Sequence, residues 1–178
     1  MALTDIPDVR LVDLVAHGDE RGAFTELFRQ AWLPEEARPI VQSNLSRSRA
    51  GVVRGLHVHV RQADYWCVLS GRAFVVLADL RPDSPTFRRP ENVTFDAEEG
   101  HRGLYVPPGV AHGFAALTDV DLLYQVDAYF DGDDEHGVAW DDPELAVPWP
   151  IERPILSDRD RRNPSLADAL RDGPRFRT

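Results

Sequence analysis

The 178-residue sequence contains no lysine; all 20 of its basic side chains are arginines. Codon bias is a sufficient cause for the composition, but the chemical consequence does not depend on cause. Catalysis through a lysine Schiff base, pyridoxal phosphate enzymes included, is excluded. Cysteine is almost absent too. Cys67 stands alone, so no internal disulfide is possible and a cytoplasmic location is expected. No apolar run approaches the length that crosses a bilayer. The opening MALTDIPDVRLVDLV carries acids where a secretory signal has a basic start and an apolar run. Repeats, low-complexity tracts and Ser- or Gly-rich linkers are missing, and one domain over residues 1–178 is expected. The formal charge of -10 argues against broad nucleic-acid binding, which needs a basic surface. It leaves room for a local arginine cluster around a diphosphate.

What the sequence has is short apolar segments between turn signals. Arg10–Val15, Phe24–Phe28, Ile40–Asn44, Val52–Val60, Tyr65–Leu69, Ala73–Leu80, Val93–Phe95, Gly103–Val106, Gly113–Leu117 and Val120–Tyr129 read as strands. They are rich in Val, Phe, Tyr and Leu and are punctuated by Gly, Pro, Asp or Asn. Many short strands with little helix indicate an all-β sandwich or barrel. Helix is expected only at Pro34–Ala37 and at Leu166–Arg171, the latter capped by Ser165. The stretch from about Pro143 onward is rich in Pro and acids. It also holds apolar residues that need burial, Val147, Trp149 and Ile155, with Trp140 just before it, so an ordered wrap around the barrel is expected.

Two segments carry most of the chemistry. In GVVRGLHVHVRQADYWCVLSG, His57 and His59 are two apart, which on a strand puts both on one face. Such a pair fits a metal site, a proton-transfer site or the solvent side of an edge strand. In GLYVPPGVAHGFAAL a turn at Pro107, Pro108 and Gly109 leads into His112. Together they resemble the two cupin motifs: His57, His59, Asp64 and Gly71 in the first, and Gly103, Pro107, Gly109 and His112 in the second. That resemblance implies an all-β cupin jelly-roll β-barrel with short peripheral helices.

The segments DERGAFTELF, IVQSNLSRSRAGVVRGLH, LADLRPDSPTF, LLYQVDAYF, HGVAWDDPELAVPWP and LSDRDRRNPSL resemble one cupin family in particular. This is the dTDP-4-dehydrorhamnose 3,5-epimerase family, with its antibiotic-sugar relatives, and the likeness runs from about Leu11 to Leu166. It implies inversion at C3, C5 or both of a dTDP-linked 4-keto-6-deoxysugar. The ketone acidifies the neighbouring C–H bonds, a base takes a proton, an enolate forms, and an acid returns a proton to the other face. The resemblance assigns the base to His57, its orienting carboxylate to Asp160 and the opposing acid to Tyr124. A phenol suits that last role because its ordinary pKa of about 10 keeps it protonated at neutral pH. Alternation puts Leu122, Tyr124 and Val126 on one strand face, taken as the interior.

Nucleotide and sugar contacts carry over to Arg21, Glu26, Gln42, Asn44, Arg54, His112, Glu135 and Arg159, with Tyr129 or Phe130 as a stacking surface for the base. The resemblance implies no cofactor, a dTDP-sugar ligand, a homodimer whose N-terminal residues reach the neighbour's site, and neither nucleic acid nor membrane as partner. Strict alternation sets Arg54 and His57 on opposite faces, so either the strand bulges at Gly55 or Arg54 serves a neighbouring subunit.

One position departs from the family pattern. A lysine usually follows the catalytic histidine in a Gln-x-Lys context; here the context is Gln62–Ala63–Asp64, the intervening loop is shorter, and His59 is untypical. An anion has replaced a cation, and Asp64 falls on the acid position of the first cupin motif. Two alternatives follow. One is a metal-binding cupin enzyme that holds a divalent ion with His57, His59, Asp64 and His112. The other is a relative that binds the nucleotide sugar without epimerising it.

Overall fold

The computed structural model describes residues 4–176. Its strands are β1 (Arg10–Asp13), β2 (Ala16–Asp19), β3 (Gly22–Thr25), β4 (Gln42–Ser48), β5 (Val53–Val58), β6 (Asp64–Ser70), β7 (Arg72–Asp79), β8 (Pro90–Asp96), β9 (Arg102–Val106), β10 (Val110–Ala116), β11 (Val120–Val126) and β12 (His136–Gly137). They form two five-stranded antiparallel sheets, β1-β9-β6-β11-β4 and β12-β5-β10-β7-β8, and a separate β2–β3 hairpin. This is a cupin jelly roll. The sheets face each other, but no ladder among the described residues joins them into a closed barrel. No helix of the described residues is long and apolar enough to cross a membrane.

Alternation along the strands explains the layering. On β7, Val75 and Leu77 point into the space between the sheets, where they meet Trp66, Val68, Leu104, Phe114 and Leu122. Their neighbours Val76 and Ala78 point the other way and pack with Leu56, Val58, Leu145, Leu166 and Phe176. The segment after Pro143 therefore covers the back of the second sheet, with Val147 and Trp149 half-buried there. Ile155, expected to be buried in that wrap, is 56% exposed; only its backbone is engaged, accepting from Val53 N and donating to the Gly51 carbonyl. Tyr65, on the opposite side of β6 from Trp66, packs behind the first sheet with Leu33, Phe28 and Ile40. Truncating one of the fully buried aliphatics to Ala would cost about 2–5 kcal/mol.

The expected helix at 166–171 is α1 (Leu166–Asp172), with the Ser165 hydroxyl accepting from Asp168 N. Pro34–Ala37 is a single hydrogen-bonded turn instead, and a short 3-10 helix lies earlier, at Gln30–Trp32. β4 continues through the polar SRS stretch to Ser48 because Gln42, Asn44, Ser46 and Ser48 are its less exposed positions. β2 was not expected: all its residues are exposed, so it has no hydrophobic pattern to read.

Candidate active site

β5 is bent at Gly55, the first of the two alternatives the sequence leaves open. His57 pairs with His112 and Arg54 pairs with Phe114, so Gly55 and Leu56 together face Gly113 alone. This is a β-bulge. It returns Arg54 to the face of His57, and both line one cavity. Gly55 has φ +121, and a Cβ there would lie 2.7 Å from Gly113 Cα. A Cβ on Gly113 would lie 2.5 Å from the Arg54 carbonyl oxygen. Each strand needs glycine because the other approaches so closely.

The cavity, about 270 Å³, opens between the sheets. β5 supplies Arg54 and His57 from one wall, and β11 supplies Leu122 and Tyr124 from the other, as alternation predicted. Trp66 and Phe114 form apolar flooring, and Phe130, 77% exposed, stands at the rim. Glu135 and Arg159 close a further side as an ion pair.

His57 Nε2 lies 2.7 Å from Asp160 Oδ1. A carboxylate only accepts, so Nε2 carries the proton in the neutral ring and Nδ1 is the basic nitrogen. Asp160 is itself fixed: its Oδ2 accepts from Ser157 Oγ at 2.8 Å, and its backbone N–H donates to the same Oγ at 3.0 Å. Burial alone would raise the Asp160 carboxyl. The hydrogen bond and charge of His57, the Ser157 hydroxyl and the Arg159 charge outweigh it and hold the group below the usual carboxylate range. Tyr124 moves the opposite way. Burial, then the negative charges of Asp64 and Glu135, raise its phenol above the ordinary value, with Arg54 opposing. The phenol is thus held as a proton carrier.

Beside this pair sits a second group. His59 donates from Nδ1 to the Asp134 carbonyl at 2.9 Å, and His112 donates from Nδ1 to the Val110 carbonyl at 3.0 Å. Burial, partly opposed by Asp64, pushes the His112 imidazole down to about 4. Asp64 accepts from Gln62 Nε2 at 2.9 Å and from Trp66 Nε1 at 3.0 Å. His59, Asp64 and His112 each offer one donor atom within 4.8 Å of the others, and all three are buried. His57 was placed in the same metal set on sequence grounds; it stands outside this compact group, because its ring is turned to Asp160.

Other expected contacts are not at the cavity of this chain. Arg21 bonds Asp19 on the exposed hairpin, and Glu26 bonds Arg29. Gln42 donates to Asn44 at 2.8 Å; both share a face of β4 with Ser46, which does line the cavity. Tyr129 is not among the lining residues. Sequence reasoning missed Ser157 and Asp134. The buried Asp134 carboxylate accepts from the backbone N–H groups of Val60, Arg61 and Gln62 at 2.8, 3.1 and 3.2 Å. It thereby ties the loop bearing His59 and Gln62 to the segment of Glu135, just before β12. Its signal in the sequence, an acid within an acidic run, is indistinguishable from surface.

A jelly roll whose inner cavity carries a carboxylate-oriented imidazole opposite a half-buried phenol defines an acid–base cupin. Comparison with known proteins narrows the class. Residues 3–168 match the family model described as dTDP-4-dehydrorhamnose 3,5-epimerase, and the chain belongs to that family. It is 40% identical over 171 residues to the dTDP-4-dehydrorhamnose 3,5-epimerase of Pseudomonas aeruginosa, covering 92% of this chain and 94% of the relative. Among solved structures, the epimerase of Mycobacterium tuberculosis superposes with TM-score 0.91 at 37% identity, covering 98% of this chain and 92% of the other. A 3'-monoepimerase from Streptomyces bikiniensis in complex with dTDP-quinovose superposes with TM-score 0.88 at 36% identity, covering 97% and 91%.

Proposed function

We propose that the protein inverts C3, C5 or both of a dTDP-linked 4-keto-6-deoxyhexose, in deoxysugar biosynthesis. The observation that carries the reading is the placement of His57 and Tyr124 on opposite sheets around one cavity. Inversion needs a proton taken from one face of a carbon and another delivered to its opposite face. His57 Nδ1 takes the first proton, and the resulting imidazolium is stabilised by Asp160. Tyr124 gives the second from the other wall. The electrons of the broken C–H bond pass to the 4-keto oxygen as an enolate and return to carbon when the phenol protonates it. The proton steps themselves call for no organic cofactor, since the substrate ketone is the electron sink.

Arg54 and Arg159 supply fork-shaped donors for a diphosphate, and Phe130 offers an exposed ring for the base. His112 and Glu135 belong to the sugar end of the same cavity. Gln42 and Asn44, farther along β4, would meet the ligand only beyond Ser46. A homodimer fits this reading, because β4 ends a sheet and Phe24, beside Arg21 and Glu26, is 66% exposed. Those two side chains would then serve a neighbouring cavity.

The test is hydrogen exchange. Incubation with dTDP-4-keto-6-deoxyglucose in heavy water is expected to load deuterium at C3, C5 or both. A folded preparation that binds dTDP but exchanges neither hydrogen would refute the reading.

A further inference from the structure

We propose that His59, Asp64 and His112 form a binding site for a divalent first-row transition-metal ion, opening on the cavity beside His57 and Tyr124. Three observations carry it. Both histidines spend Nδ1–H on a backbone carbonyl, at Asp134 and Val110, and a carbonyl oxygen can only accept. In the neutral rings, therefore, each Nε2 presents a lone pair, and an outer partner locks each ring, as metal-ligating histidines require. Next, Asp64 is 4% exposed, and its hydrogen-bond donors, Gln62 and Trp66, are neutral. Its Oδ2 is 3.7 Å from His112 Nε2, at the outer limit of an ion pair and beyond hydrogen-bond length, so the nearest group that could balance the buried carboxylate is the imidazole that would share the ion with it. Finally, the three donor atoms lie within 4.8 Å of one another. Bonds of about 2.1 Å place ligand atoms roughly 3–4 Å apart, a contraction that small side-chain rotations supply.

Two imidazoles and one carboxylate select a borderline metal such as Mn, Fe, Co or Zn over Ca or Mg, and three protein ligands leave positions open to the cavity. The Gln62 amide now donates to Asp64 Oδ1 and, at 3.4 Å, approaches His59 Nε2; it marks the point on which these acceptors converge. On metal binding it would turn aside or present Oε1. The ion does not compete with proton abstraction, since His57 is held by Asp160 and stands outside the group. Its role rests on the proposed function: at an open position it would bind the 4-keto oxygen and stabilise the enolate, a cationic task that no lysine of this chain can perform.

The test titrates chelator-stripped, full-length protein with Co(II), read by its visible d–d bands and by equilibrium dialysis. About one ion per chain is expected, with a higher melting temperature. Asp64→Asn and His59→Gln should weaken binding by roughly a hundredfold or more, while His17→Ala, on the exposed hairpin, should leave it unchanged. If the variants fail to fold, the wild-type titration decides. Absence of bands and of any melting shift with Mn, Co or Zn would overturn the site, and deuterium exchange equal before and after stripping would overturn its role. Metal binding without exchange in any state would leave the site standing and remove the epimerase reading instead, so the two failures are distinguishable.

Discussion

Replacing Asp160 by Asn isolates the contribution of charge to the proposed base. The amide oxygen can take the place of Oδ1 facing His57, while the amide N–H groups turn toward Ser157, whose hydroxyl has a second lone pair available. Shape and hydrogen-bond count are thus nearly conserved. What is lost is the attraction between the carboxylate and the imidazolium that forms when His57 accepts a proton. At the 2.7 Å contact distance, with an effective dielectric of about 20, full charges attract by about 6 kcal/mol as an upper bound. His57 keeps a quarter of its side chain exposed, so water screens part of this. A loss of about 3 kcal/mol in the transition state is expected, roughly a hundredfold in rate. The assay is the initial rate of deuterium entry at C3 and C5, with dTDP affinity and melting temperature measured in parallel. The rate should fall while affinity holds. A variant that exchanges within about threefold of wild type would show that His57 does not gain a full charge beside Asp160.

Two further outcomes follow from the geometry. Tyr124→Phe should leave exchange catalysed by His57 in place while net inversion slows by about 10²–10⁴-fold, followed by product stereochemistry; equal loss of both would remove the phenol from its role. The second concerns stability. Asp79 and Arg81 are buried together, with Ser84 and Thr86 also donating to Asp79. Burial would raise the Asp79 carboxyl, but these partners, Arg81 foremost, hold it below its ordinary value. A depressed folded pKa contributes stability above the unfolded value near 4, and that contribution disappears as pH falls through the folded value. Asp79→Asn should therefore cost about 3 kcal/mol at neutral pH and flatten the acid limb of a urea-denaturation series. An unchanged limb would contradict this.

The fold was legible wherever one periodicity dominated. β7 alternates between two buried environments and its apolar run shows it, while β11 buries Val120, Leu122 and Val126 on one face with less buried residues between them. The same logic fails for β2, which is exposed on both faces, and for β12, two residues long. Ile155 misled because apolar character was taken to require burial, whereas folding uses only its backbone to close on Val52 and Val53. The site was legible in two different ways. His57 and His59 could be read as a pair from the strand itself, whereas Arg54 came from likeness to the family, with Gly55 marking where a bulge could bring it to the same face. Asp160, Glu135 and Arg159 sit on loops far away in sequence, and only likeness to a family pointed to them. Asp134 and Ser157 were invisible, since their work is done on backbone groups and on another side chain, not on the cavity.

The His-x-His pair shows how much the outer partners decide. Period-two alternation sends both rings into one cavity, and on that basis alone they are equivalent. They differ in what holds their far sides. His57, within β5, donates Nε2–H to the Asp160 carboxylate, which leaves the Nδ1 lone pair to accept a proton. His59, one residue beyond the strand, donates Nδ1–H to the Asp134 carbonyl, with the Glu135 carboxylate 3.7 Å from the same nitrogen, and is left to offer its Nε2 lone pair to a metal. Exchanging these partners, not the histidines, is what would exchange the tasks. The two readings once posed as rivals for the cavity, base chemistry and metal binding, therefore draw on different atoms and are compatible in one chain.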